Sequence, residues 1–121
     1  MGHVSVDVSV IGTKGRRNLK GLIVDTGATY TVLSREVLEA IGALKLPGKF
    51  PLKLGDGRSV EADAYALTIE LGDRWGPIIA LTFEGAQQVL GVQALESLGL
   101  RVNPISGKLE ETRPKGTAYF F

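Results

Sequence analysis

The sequence predicts an all-β domain with one or two short helices, and three observations predict it. Apolar and polar residues alternate over residues 3–11, the two-residue period of a strand with one buried face. The apolar runs Leu22-Ile23-Val24 and Ile78-Ile79-Ala80-Leu81 have the length of buried strands rather than helices. Gly55-Asp56-Gly57 stands between two strand-like segments, and Asp-Gly suits a hairpin turn with positive φ.

Taken in order, residues 3–11 form the first strand, residues 12–18 a turn-rich connection with Arg16 and Arg17 in solvent, and residues 19–24 the returning strand. Residues 30–33 continue the extended path. Ser34 is a helix N-cap, the spacing of Val37, Leu38 and Ile41 gives a buried helical stripe, and Gly42 closes the helix. Pro47 and Pro51 bracket a loop. A hairpin covers residues 52–62, and further strands cover residues 64–71 and 78–83. The connection between them carries Trp75, expected to fold back onto the body. Residues 93–98 form a second short helix. Slid along itself so that Leu38-Glu39 and Gly42 fall on Leu95-Glu96 and Gly99, the chain sets Ile23-Val24 beside Ala80-Leu81, an internal echo of strand and helix. Residues 109–112 read as a last strand, and Thr117-Ala118-Tyr119-Phe120-Phe121 as an aromatic segment that needs cover.

At 121 residues the chain is most economically one domain, residues 1–121, since domains run ~100–200 residues. A formal charge of +1, with the basic residues spread rather than massed, gives no nucleic-acid signal. The chain has no cysteine, so there is no thiol nucleophile or disulfide, which suits a reducing cytoplasm. No segment is long enough to span a bilayer as a helix, and the N-terminus shows no signal-peptide block. The single histidine, His3, reads as a solvated side chain, and no metal-ligand pattern occurs.

Chemistry concentrates at Asp25-Thr26-Gly27, directly after the apolar run. A carboxylate at the end of a buried strand must be paired, hydrogen-bonded or protonated. The tripeptide is also an ordinary turn sequence, so its surroundings decide its meaning. Val24-Asp25-Thr26-Gly27-Ala28 followed by Thr31-Val32-Leu33-Ser34, then Val89-Leu90-Gly91 downstream, resembles the signature of retropepsin-like aspartic peptidases. The wording from Gly91 to Glu96 is more similar to prokaryotic members than to viral ones.

That resemblance implies a closed β-barrel that supplies one lobe of a symmetric homodimer. Asp25, Thr26 and Gly27 would be the catalytic loop, and Leu90 and Gly91 its support from below. Ala28, Leu54, Gly55, Asp56 and Gly57 would line the substrate groove, the last four as part of a flap over residues 52–62. Ile23, Ile78 and Ile79 would add apolar pocket walls. The tail over residues 108–121 would enter the dimer interface, cover its own barrel or occupy a neighbour's groove. The implied activity is endopeptidase hydrolysis by a water held between two Asp25 carboxylates, with no cofactor, because the nucleophile is water. Two like charges side by side cannot both ionise comfortably, so the pair would hold one proton and supply general acid and general base together.

Two departures from the viral pattern go together. Thr29 stands where those members often carry Asp, and Val92 where they carry Arg, so an ionic brace is missing on both sides and dimer affinity is the property affected. Ala28 offers the carboxylates no hydroxyl donor, which points to activity shifted toward neutral pH. The alternative function is a retropepsin-like dimer that binds peptides or proteins without cleaving them; a structural β-barrel module of a larger complex is a further one.

Overall fold

A computed structural model describes residues 4–114 of the chain. Its strands are β1 (Ser5–Ile11), β2 (Arg16–Val24), β3 (Thr31–Val32), β4 (Leu44–Lys45), β5 (Phe50–Lys53), β6 (Ser59–Leu71), β7 (Arg74–Thr82), β8 (Val89–Leu90), β9 (Leu100–Val102) and β10 (Leu109–Glu111). Helix α1 (Arg35–Ile41) follows β3, and α2 (Val92–Leu98) follows β8. The main ladder runs β1-β2-β8-β3-β7-β6-β4, β1 also pairs with β6, and β5 pairs with β6 alone. His3 and the segment with Tyr119, Phe120 and Phe121 lie outside the described residues. Among those described, no helix is long and apolar enough to cross a membrane.

Both helices stop where local chemistry dictates, and α1 also starts there. Ser34 accepts the Val37 N–H at 3.2 Å, and Gly42 and Gly99 close α1 and α2 in the left-handed conformation, which glycine adopts without a Cβ penalty. Val37, Leu38 and Ile41 of α1, and Ala94, Leu95 and Leu98 of α2, face the core with Val10, Leu33, Ile69, Ile78 and Leu90.

The internal echo is structural. β2 pairs in parallel with β8, and β3 pairs in parallel with β7. Exchanging the two halves therefore carries one parallel pair onto the other and α1 onto α2. Under the same overlay Asp25 falls on Thr82, which is 2 % exposed. The second half thus has a buried hydroxyl where the first has its carboxylate.

Several expected boundaries move. The strand β2 begins at Arg16, because Arg16 and Arg17 pair with Ile11 and Val10 of β1, while their guanidinium groups meet Glu70 and Glu36. Only residues 12–15 are left as the turn. The connection expected over residues 72–77 contracts to Gly72-Asp73, since Leu71 already faces Arg74 across the β6–β7 ladder. Pro77 is tolerated inside β7 because the outer neighbour β3 reaches only Ala80 and Leu81. Burial alternates along β7, with Arg74, Gly76 and Ile78 inward. That parity turns Trp75 outward, 67 % exposed, rather than back onto the body. Arg74 is buried instead, its guanidinium satisfied by the carbonyls of Leu98 and Arg113 and by Glu111. The loop between Pro47 and Pro51 is shorter than expected because Phe50 and Pro51 already pair with Ala62 and Glu61. β9 was not legible as a strand; it pairs with β10.

Candidate functional site

Asp25 is the first residue beyond β2, and the loop it opens is tied down by its own backbone. Its N–H donates to the Leu90 carbonyl at 2.9 Å, and its carbonyl accepts the Ala28 N–H at 3.1 Å. The Gly27 N–H donates to Asp25 Oδ1 at 2.9 Å. Further on, the N–H groups of Val92 and Gln93 donate to the carbonyls of Ala28 and Thr29 at 2.8 and 2.9 Å. The loop is thus stitched to β8 and to the first turn of α2 from both ends.

Gly91 sits at the crossing of these two segments. A Cβ there would lie 2.5 Å from the Tyr30 carbonyl carbon and oxygen and 2.9 Å from the Ala28 oxygen. Its N–H donates to Thr31 Oγ1 at 3.2 Å, and Leu90 is fully buried beneath the loop. Leu90 and Gly91 therefore contact the Asp25 loop directly, one through its carbonyl and the other through close backbone approach.

The Asp25 carboxylate opens onto a cleft of about 710 Å³. Ala28, Thr29, Tyr30 and Val32 form one wall, and Leu52, Lys53, Leu54, Gly55, Asp56 and Arg58 of the β5–β6 hairpin form the opposite one. Leu81, Phe83, Gly85, Gln87 and Val89 complete the lining. Asp25, Gly27, Ala28, Leu54, Gly55 and Asp56 therefore meet in one space, whereas Gly57, also expected to line the groove, is not part of the lining. Thr26 faces a separate depression lined by Val4, Val6, Val24, Val102 and Leu109. Of the expected apolar walls only Leu54 lines the cleft: Ile78 points into the core at 2 % exposure, and Ile79 packs beside Ala62, Ala64 and Leu81. Ile23 is exposed away from the cleft lining. The apolar walls come instead from Tyr30, Val32, Leu52, Leu81 and Phe83, whose strand parity in three different segments no local pattern specifies.

The hairpin tip is ordered by its own polar groups. Gly57 N–H donates to the Leu54 carbonyl at 2.9 Å, and Leu54 N–H to the Arg58 carbonyl at 2.8 Å. Positive φ occurs at Gly57 (89°) and not at Asp56, so the loop is a three-residue hairpin loop with glycine in the left-handed position rather than a two-residue Asp-Gly turn. Asp56 accepts the Arg58 backbone N–H at 2.9 Å and its Nε at 2.7 Å. These bonds hold the Asp56 carboxyl below its ordinary range, the backbone donor first and the guanidinium second. The spacing of Asp56 and Arg58 was a readable signal for this pair.

Within one chain Asp25, Thr26 and Gly27 are all exposed. Asp25 accepts the Gly27 N–H but is not buried, so the expected burial at the end of the strand does not occur. Asp56 is occupied by Arg58, so among the described residues that line the cleft one carboxylate, Asp25, is available to a reactant. A single carboxylate can accept a proton from water. To protonate a carbonyl at the same moment, a second group is needed. Among the described residues no three His, Asp or Glu side chains gather as a metal site.

The aspartyl protease family model matches residues 6–102, a span from β1 through α2 to β9 that includes the Asp25 loop, the hairpin and Gly91. No curated protein sequence matches the chain.

Proposed function

From the premise that this chain belongs to the aspartyl protease family, we propose that it is an endopeptidase whose active site is completed by a second copy of itself. The observation that carries the reading is Asp25: an available carboxylate in the cleft of each chain, on a backbone-braced loop, facing a hairpin across a peptide-sized cleft. Two copies related by a two-fold axis bring two Asp25 side chains together, and like charges at close range share one proton.

The ionised Asp25 takes a proton from a water as its oxygen attacks the peptide carbonyl carbon, and the protonated Asp25 gives its proton to the carbonyl oxygen. The tetrahedral diol then collapses: the newly protonated Asp25 gives its proton to the amine nitrogen as the C–N bond breaks, and the other Asp25 takes one from a diol hydroxyl, so the dyad is again singly protonated. Gly27 keeps its N–H on Asp25 Oδ1 throughout, which fixes the carboxylate's orientation. Thr26 braces the two loops across the axis, a role its exposure supports. The hairpin acts as the flap: a substrate lying extended in the cleft adds to it as a strand, with backbone hydrogen bonds for affinity and side-chain pockets for selection. The pairing of β1 with both β2 and β6 supports a closed barrel as the body of each subunit. The nucleophile is water, so no cofactor enters the scheme.

A diverse peptide library, presented to wild type and Asp25→Asn at matched dimer concentration from acidic to neutral pH, tests this. Cleavage by wild type that is lost in Asp25→Asn supports the dyad and reports the preferred side chains. A wild-type dimer that cleaves nothing overturns it, and peptide binding that persists in Asp25→Ala would then identify a binding module.

A further inference from the structure

The strand β6 serves two sheets. Its residues 59–62 pair with β5 to make the hairpin, and its residues 63–71 pair with β7 in the body. The changeover falls between Ala62, opposite Phe50, and Asp63, opposite Thr82. At that joint Asp63 is 4 % exposed, yet it is a carboxylate. Three cations from three other segments surround it. Lys49, the residue before β5, places Nζ 2.6 Å from Oδ1; Arg35 of α1 places Nη2 2.8 Å from Oδ2; Lys45 of β4 lies 3.9 Å away. Arg35 is itself held by the Tyr65 hydroxyl at 3.2 Å.

We propose that Asp63 is the positioning residue of the cleft's hairpin, its carboxylate locking the base of both arms to α1 so that the tip is held at a fixed angle over Asp25. One arm is continuous with Asp63 through β6, and the other is crosslinked to it by Lys49. Little else fixes that angle. Phe50, Pro51, Lys53 and the tip are exposed, and Leu52 is the residue of β5 that packs against the small apolar cluster of Ala62, Ala64 and Leu81. A segment with so few buried contacts opens easily unless its base is fastened. Cations from three segments converging on one buried carboxylate fix where it sits relative to α1 and β5, whatever net stability they add. The cations hold the Asp63 carboxyl down to about 2, the Lys49 and Arg35 hydrogen bonds contributing most. The lock therefore stays charged at neutral and mildly acidic pH.

The consequence for turnover rests on the peptidase reading, whereas the hairpin's angle does not, and the test separates them. The chain has no cysteine, so spin labels at Gly55→Cys on the tip and Glu39→Cys on α1 are unique. Measured in chains diluted into unlabelled protein, the tip-to-body distance distribution broadens in Lys49→Gln, with melting temperature unchanged, and narrows again in Lys49→Arg. Lys49 is half exposed, so Lys49→Gln leaves the Arg35 pair and the fold in place. In cleavage, Lys49→Gln raises KM about two- to fivefold with kcat preserved, the size expected for one partly exposed pair. An unchanged distance distribution in Lys49→Gln overturns the proposal, whether or not the wild type cleaves peptides. Absence of cleavage by wild type overturns the peptidase reading alone.

Discussion

Gly91→Ala tests whether α2 and the Asp25 loop are held at a spacing that admits no side chain. Its φ of −94° and ψ of 177° suit alanine, so the backbone pays nothing and the cost is steric. The new methyl would stand 2.5 Å from the Tyr30 carbonyl carbon and oxygen, whereas carbon contacts settle near ~3.5–4.0 Å. The two segments must separate by about 1 Å, and both are backbone, with no flexible side chain to yield. Overpacking of this kind costs about 1–3 kcal/mol. The displacement also strains the bonds from Val92 and Gln93 to Ala28 and Thr29, so it reaches the Asp25 carboxylate. A misplacement of ~1 Å at reacting groups costs about 10²-fold in rate. Urea unfolding and peptide cleavage of Gly91→Ala measured side by side are expected to show both losses. Stability within about 0.5 kcal/mol of wild type, together with unaltered cleavage, would refute the packing argument.

Three further outcomes follow from the same geometry. Leu90→Ala, a fully buried side chain under the loop, should lose about 2–5 kcal/mol in denaturant unfolding; a loss under about 1 kcal/mol would mean the site collapses around the gap. Ala28→Ser introduces a hydroxyl beside the carboxylates and should move the acidic limb of the pH–rate profile to lower pH, since a donor to the charged form favours ionisation; an unmoved limb contradicts this. For Asp63 the folded-state value lies below the ordinary 3.8 at about 2, so its contribution is present above pH 3.8 and is lost as the pH falls through 2. Acid titration of stability in Asp63→Asn should therefore be flatter than wild type over that window, and parallel curves would count against the ion cluster.

What could be read from the chain was what depends on neighbours in sequence. Ser34 and Gly42 cap α1 through bonds that span a few residues, and Asp25-Thr26-Gly27 makes its turn by the same local rules. Gly91 and Leu90 were legible only through the resemblance, because the reason for a glycine there is the distant Tyr30 backbone. Which face of the loop Thr26 takes, and which apolar residues wall the cleft, follow from strand parity and from how three segments converge, and no window of sequence contains that. Trp75 and Arg74 show the difficulty sharply. Hydrophobicity alone would bury the tryptophan and expose the arginine, but the parity of β7 reverses them and the carbonyls at the end of α2 satisfy the guanidinium. Asp63 left a faint trace, a lone carboxylate between Ala62 and Ala64, whose meaning depends on Lys49 and Arg35 arriving from elsewhere.

The central claim, that two chains each contribute one Asp25, is tested most directly by mixing wild type with Asp25→Asn in varying proportion at constant total chain, after exchange of subunits, and measuring peptide cleavage. Activity should fall as the square of the wild-type fraction, because only dimers with two carboxylates turn over. A linear fall, with activity per wild-type chain unchanged, would contradict the shared site and assign the chemistry to a single chain.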